Sequence, residues 1–348
     1  MFKTKLGGLY IEITSYCDRH CPYCYNDSNT SGQFLDVNTI YKLLDSCKLN
    51  NISVVSISGG EPFSHPTIEA IVNKLNQLNI KAIFVTNLSF LSPKEAIKLI
   101  EAGHMLQLTL DSHLKEFNDL TRGYGSYELT TALLDELKSR KFSSNVYLRY
   151  NINKDNYLFL NEIISFAYKY ELVNLDFSIL FKSGRASNYK KVFDYNNDIV
   201  ILNKLVKEFK NLKEQNKKMN INYTSLDKQL GCEFYKDDII QIGAKVVSNG
   251  DVYACQLFQG KNNVLGNVNT DCITDIIESE KTRQWIESIK NRKIVQKDCT
   301  YCIYTDICMC GCPAVSYMQT NSLYIKQDQC MMIKHFIKES LKEAIKDE

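Results

Sequence analysis

Between residues 9 and 180 the apolar positions switch repeatedly between strand-like and helix-like patterns. "LYIEIT" (9–14) reads as a strand. "VNTIYKLLDSC" (37–47) then places Val37, Ile40, Leu43, Leu44 and Cys47 on one helical face, with Asp36 positioned as N-cap. "ISVVSIS" (52–58) is a β-branched run of buried-strand type. The alternation continues through a helix at 66–78, "KAIFVTN" (81–87), a helix at 93–102 and "MLQLTLD" (105–111). "SYELTTALLDELKSR" (126–140) predicts a capped amphipathic helix, followed by "NVYLRYNIN" (145–153), a helix within 156–170 and "NLDFSIL" (174–180). Six strands separated by helices predict an α/β fold, a parallel sheet with helices outside it. Six units are too few for a closed eight-unit barrel, so the expectation is a partial, TIM-like (β/α)6 barrel.

The pattern changes after this series. The barrel is assigned to residues 1–195, a Lys- and Glu-rich helical connector to 196–218, and a second region to 219–348. Within that region "AKVVSNGDVYACQ" (244–256) carries a hairpin signal, with Asn249-Gly250 at the turn. A helix at 273–290, a cysteine-dense loop and a terminal helix at 331–346 complete the chain. There is no internal repeat and no low-complexity segment.

Composition narrows the function classes. The formal net charge of +2 and interspersed charges argue against nucleic acid or an anionic membrane as the main partner. The N-terminal residues lack a signal-peptide pattern, and no window approaches the roughly 18 apolar residues of a membrane span, so a cytoplasmic location is expected. Thirteen cysteines in a reducing compartment point to metal rather than to a disulfide framework. Three lie near the start, nine fall between 232 and 330, and only Cys47 lies elsewhere.

The first three are Cys17, Cys21 and Cys24, a CxxxCxxC loop directly after the first predicted strand. Thiolates select zinc, copper(I) or iron–sulfur clusters. A [4Fe–4S] cube takes one ligand per iron, usually four thiolates. Three thiolates leave one iron open, and an open metal position is the mark of a catalytic site. The loop also lies at the C-terminal end of a strand, where α/β barrels carry their chemistry. The competing reading is a zinc site completed by a residue such as His20.

CxxxCxxC with an internal aromatic, Tyr23, resembles the cluster motif of the radical S-adenosylmethionine (SAM) superfamily. That resemblance implies a [4Fe–4S] cluster whose open iron binds SAM, and reductive cleavage of SAM to a 5′-deoxyadenosyl radical that abstracts hydrogen from an unactivated C–H bond. "SISGGEPF" (56–63) is similar to the family's glycine-rich element, which implies that Gly59, Gly60 and Glu61 hold the SAM amino group. "TLDSHLKEFNDLTRGYGSYE" (109–128) resembles the segment that positions SAM, with Thr109, Asp111 and Arg122 as its candidates. Arg149 in "LRYNIN" is placed to meet the SAM carboxylate, "KSGRA" (182–186) matches a glycine turn near the adenine, and Tyr25 is placed to pack beside that base.

The C-terminal cysteines resemble the SPASM domain, an extension that carries auxiliary iron–sulfur clusters. By position, Cys299, Cys302, Cys308 and Cys330 would hold a fully ligated distal cluster, and Cys232, Cys255 and Cys312 a proximal one without a fourth cysteine. Three [4Fe–4S] clusters are therefore expected. Cys47 reads as core, Cys272 as structural, and Cys310 as a thiol between two ligands, weighed as a hydrogen donor against simple packing. A pair of zinc sites is the alternative for this region.

The resemblance implies a maturase that modifies a ribosomally made peptide or a protein oxidatively, by thioether or carbon–carbon cross-linking. Its partners would be the peptide and a one-electron donor such as flavodoxin or ferredoxin; since the first strand begins near residue 9, the peptide would need either a separate leader-binding protein or recognition by the barrel and the C-terminal domain alone. Anaerobic sulfatase maturation to formylglycine is the first alternative. It is weakened because Gln256 stands where those relatives carry a basic aspartate, and a carboxamide cannot take a proton at neutral pH. A small-molecule dehydrogenase or epimerase is the second.

Overall fold

The structure is a computed structural model that describes residues 2–223, 232–236 and 238–346. Six strands form at the expected places: β1 (Lys3–Thr14), β2 (Val54–Gly59), β3 (Lys81–Val85), β4 (Met105–Thr109), β5 (Val146–Ile152) and β6 (Asn174–Ile179). Each is parallel to its neighbour. Helices Val37–Leu49, Ile68–Leu78, Pro93–Glu101, Ser126–Ser139 and Leu160–Lys169 connect them, so the α/β partial barrel is present.

Local chemistry sets the helix ends. The Asp36 carboxylate accepts from Thr39 N–H, as expected of an N-cap. Ser92 and Glu95 form a reciprocal capping box. Helix Ser126–Ser139 has no side-chain cap of its own; Asp119, on the preceding short helix Lys115–Arg122, accepts from Gly125 N–H and Tyr127 N–H instead.

Three features extend the sheet beyond the six strands. β1 starts at Lys3 and runs for twelve residues. β7 (Asn220–Tyr223) adds a parallel strand beside β6 after the helix Ile199–Gln215. β8 (Ile239–Val246) pairs in parallel with the whole outer edge of β1, from Lys3↔Ile239 to Ile11↔Val246. β9 (Asp251–Tyr253) and β10 (Gly266–Asn267) then continue antiparallel, giving the order β10-β9-β8-β1-β2-β3-β4-β5-β6-β7 in one sheet. The β8–β9 turn closes at Gly250, whose φ of +89° suits glycine.

Alternation divides the sheet into two faces. Ile11, Ile13, Val55, Ile57, Phe84, Leu106, Leu108, Leu148 and Phe177 are buried in the core that the helices cover. Each such side chain contributes about 1.5–3 kcal/mol on burial. The residues between them (Tyr10, Glu12, Ser56, Ser58, Gln107, Thr109, Tyr147, Arg149, Asn151 and Asp176) lie on the other face and are mostly polar. The predicted helix at 273–290 is broken at Ser279, which ends Ile273–Glu278 and caps Glu280–Lys290. Ile277 and Ile286 from these helices join the same core, and Thr4 of β1 donates to Ile277 O at 2.7 Å. Among the described residues no helix is long and apolar enough to cross a membrane.

Candidate functional site

The three-thiol loop leaves the C-terminal end of β1, and the ends of four other strands hold it. Cys17 and Cys21 are buried and Cys24 is half-buried. After β2, Gly60 N–H donates to Thr14 O and Glu61 N–H to Tyr16 O, both at 2.8 Å. A side chain at Gly60 would place its Cβ 2.0 Å from Tyr16 O and 3.0 Å from Cys17 Cβ, so only glycine permits this approach. After β3, Asn87 Nδ2 reaches Cys17 Sγ at 3.5 Å. After β4, buried Asp111 accepts from the hydroxyls of Tyr23 and Thr121, and Arg122 Nη1 donates to Tyr23 Oη at 3.4 Å. After β6, Arg185 N–H donates to Cys24 O and its Nε to Cys21 O, both at 2.9 Å, while Nη1 reaches Asp27 and Ser28.

Glu61 has no exposed surface. Its Oε1 accepts from Phe63 N–H and Thr86 Oγ1, and its Oε2 from Asn87 N–H at 2.6 Å. Burial pushes its carboxyl up to about 7 despite those donors. Thr109 and Arg122 line a small cavity with Thr86, Asn87 and Leu88. Arg149, in register with Thr109, is ion-paired with Asp176 on β6, Nε to Oδ2 at 2.8 Å. Gly184, in the predicted glycine turn, backs directly onto the carbonyls of Cys24 and Tyr25.

Tyr25 points toward β1. Its hydroxyl lies 3.1 Å from that of Tyr10, which donates to Ser58 at 2.7 Å, and within 3.4 Å of Glu12 Oε1. Glu12 is 6% exposed and Lys245, on β8 in register with Tyr10, is 1% exposed. Burial raises the Glu12 carboxyl and lowers the Lys245 ammonium, and each charge opposes the shift of the other. Both line a pocket of about 240 Å³ with Tyr25, Asn26, Gln33, Tyr253 and Gln259, between the three-thiol loop and the hairpin that leads to Cys255.

The C-terminal thiols fall into two groups. Cys232, Cys255 and Cys312 interact electrostatically with one another. Cys299, Cys302, Cys308 and Cys330 line one cavity together with Cys310 and Lys334. The first group contains the residues expected for a proximal cluster, and the second those expected for a distal one together with Cys310. Cys47 is fully buried in the core and Cys272 is exposed at a helix start. Burial pushes the Cys17, Cys255 and Cys308 thiols up to about 11 and Cys232 up to about 12. Thiols so raised are protonated at neutral pH, so ligation at these sites releases protons. Among the described residues no three or more His, Cys, Asp or Glu side chains group as ligands of a single metal ion. The donor chemistry fits iron–sulfur clusters: soft thiols, three at a loop made accessible by Gly60 and four around one cavity.

Arg185, Asn87, Glu12, Lys245 and Arg292 are absent from the sequence-based site. For Glu12 a signal exists: a carboxylate between isoleucines in "YIEIT" must face away from the apolar core. The contacts of Arg185 and Asn87 join distant segments and leave no local signature.

Comparison with known proteins places two domains on the chain. The family model of the Radical SAM superfamily matches residues 11–167, and that of the SPASM iron-sulfur cluster-binding domain matches residues 238–303. Mycofactocin maturase MftC of Mycobacterium tuberculosis is 27% identical over 180 residues, covering 51% of this chain and 45% of that protein. The fold is similar to native anSMEcpe with bound AdoMet and Kp18Cys peptide (TM-score 0.75, 17% identity, 98% of both chains). It is also similar to Streptococcus suis SuiB bound to precursor peptide SuiA (TM-score 0.73, 18% identity, 94% of this chain and 76% of that one). The chain is thus an enzyme of the radical SAM superfamily with a SPASM iron–sulfur cluster-binding domain.

Proposed function

We propose that this enzyme cleaves SAM reductively and oxidatively modifies a ribosomally made peptide by cross-linking. The observation that carries the reading is the placement of three thiol sets in one sheet-linked core. One lies beside Gly60 and Glu61, a second includes Cys255 after the hairpin that borders the Glu12–Lys245 pocket, and a third lines its own cavity. Cys17, Cys21 and Cys24 would hold the SAM cluster, Cys232, Cys255 and Cys312 a proximal auxiliary cluster, and Cys299, Cys302, Cys308 and Cys330 a distal one. When bound, SAM and its cluster supply the one-electron chemistry that opens an unactivated C–H bond.

The chain's own residues do the positioning. Gly59, Gly60 and the Glu61 carboxylate, itself fixed by three donors, form the receptor for the SAM ammonium. Thr109 and Arg122 face the cavity beside that element. Asp111 and Arg185 hold the loop. The pocket at Glu12 and Lys245 supplies polar groups for a peptide segment. The similarity to folds solved with bound peptides supports a peptide substrate. Gln256 in place of an aspartate disfavours formylglycine formation.

The test is anaerobic reconstitution of the full chain. About twelve irons are expected from three cubes, with release of 5′-deoxyadenosine when dithionite and SAM are added. Co-expression with cysteine-containing precursor peptides should yield a product lighter by two hydrogens. Absence of 5′-deoxyadenosine overturns the SAM assignment; its presence with a modified small molecule and unmodified peptides overturns the peptide assignment alone.

A further inference from the structure

Asn87, on the turn after β3, touches both halves of the N-terminal site. Its backbone N–H donates to Glu61 Oε2 at 2.6 Å. Its side-chain Nδ2 donates to Cys17 Sγ at 3.5 Å and to Asp18 Oδ1 at 3.3 Å. A carboxamide nitrogen carries two hydrogens, one for each of these acceptors. The orientation of the amide is fixed from its other end. Oδ1 accepts from Ser89 N–H at 2.8 Å, and a turned-over amide would set donor against donor there. Among the described residues Asn87 is the only side chain that donates to a thiol of the three-thiol loop.

Closing the turn does not require an amide. The bond from Ser89 N–H needs only an oxygen at position 87, which aspartate, serine or threonine also supplies. What asparagine adds is the donor, and the donor faces Cys17. That residue is buried, so a thiolate there meets little water. A hydrogen bond to a ligand sulfur stabilises the reduced cluster, which carries the extra negative charge, more than the oxidised one. It therefore raises the reduction potential.

We propose that Asn87 is a positioning residue that raises the reduction potential of the N-terminal cluster by donating to its Cys17 ligand. This rests on the reading of Cys17, Cys21 and Cys24 as cluster ligands. The same residue's N–H fixes Glu61, so the donor to the cluster and the receptor for the SAM ammonium are held on one peptide unit.

The test is a redox titration of the anaerobically reconstituted full chain, followed by electron paramagnetic resonance at the signal that changes when SAM is added. Asn87→Asp keeps the oxygen that Ser89 N–H needs and loses the donor. Asn87→Ala loses the donor without adding a charge. Both keep the backbone bond to Glu61, and both should load the wild-type amount of iron. Their midpoints should lie at more negative potential than the wild type, with Asn87→Asp the further shifted. Ser89→Ala removes the hydroxyl that bonds Asp18 in the same turn and leaves the Asn87 donor in place, so its midpoint should stay at the wild-type value. A wild-type midpoint in either loaded Asn87 variant overturns the proposal, as does an equal shift in Ser89→Ala. If one Asn87 variant fails to load, the other decides; loss of about four irons from both makes Asn87 an assembly residue and overturns the proposal as well. Absence of any SAM-sensitive signal from the wild type would instead overturn the reading of the three-thiol loop.

Discussion

Replacing Arg292 with lysine should release the distal thiol loop while leaving the three-thiol loop loaded. A guanidinium has five N–H donors, and at Arg292 each finds an acceptor. Nε donates to Leu323 O at 2.7 Å, Nη1 to Tyr235 Oη at 3.3 Å and Gly311 O at 2.9 Å, and Nη2 to Cys310 O and Ser316 Oγ at 2.9 Å. Lysine keeps the charge but has three donors on a single point, so at least two acceptors lose their partner. Hydrogen bonds from a charged donor are worth about 1.5–3 kcal/mol each. Two lost bonds therefore cost about 3 kcal/mol at the low end, roughly a hundredfold in the local folded population. Because cysteine ligation and local folding are coupled, that loss should appear as missing iron. Arg292→Lys should shed about four irons from the distal site, and Arg292→Ala should also disturb the proximal site through Cys312. The assay is iron per chain after anaerobic reconstitution, with dithionite-dependent 5′-deoxyadenosine release as the control for the N-terminal site. Wild-type iron content and an unchanged unfolding midpoint in Arg292→Lys would refute the reasoning.

Gly60→Ala forces a Cβ to within 2.0 Å of Tyr16 O, a contact no side-chain rotation relieves, so the loop must move. About four irons and 5′-deoxyadenosine release should be lost while the auxiliary iron stays, measured by iron counting and chromatography. Lys245→Met removes the buried cation that opposes the upward shift of the Glu12 carboxyl, so stability in urea unfolding should fall; adding Glu12→Gln should recover most of the loss. His104 is fully buried, with Nδ1 accepting from Ala82 N–H at 3.0 Å and Nε2 bonded to Asn76 Oδ1, so it is held neutral. Burial lowers its pKa from 6.5 to about 4. The folded state thus binds fewer protons than the unfolded one, and the contribution of His104 is full above pH 6.5 and lost as pH falls toward 4. That amounts to about 3 kcal/mol, and a melting-temperature series against pH should lose this acid limb in His104→Gln.

The parallel strands and the three-thiol loop were legible because each is a local property. Period-two and period-3.6 patterns are written within ten residues, and CxxxCxxC within eight. The edge of the sheet was not. Residues 3–8, "KTKLGG", offer one apolar side chain, and they form strand only because β8, more than two hundred residues later, supplies partners from Ile239 onward. Arg292 shows the same limit. In "KNRKIVQ" it reads as a solvated cation beside two lysines, yet among the described residues it is the largest fully buried side chain. Its environment is made of carbonyls from 310, 311 and 323, which no window around 292 contains.

These two omissions are connected by one physical requirement. On the proposed function, a chain that carries clusters on separate loops must hold them at fixed separations, since electron transfer between clusters would depend on distance. Loops alone cannot do this; rigid backbone can. Here β1 carries the three-thiol loop at its end and pairs along its length with β8, whose hairpin leads to Cys255. Arg292 then ties the carbonyls on either side of the Gly311 turn to helix Arg292–Val295, close to Cys312. The long first strand and the buried arginine are thus the parts of the fold that set the geometry between thiol groups, and they are non-local because the distances they fix are.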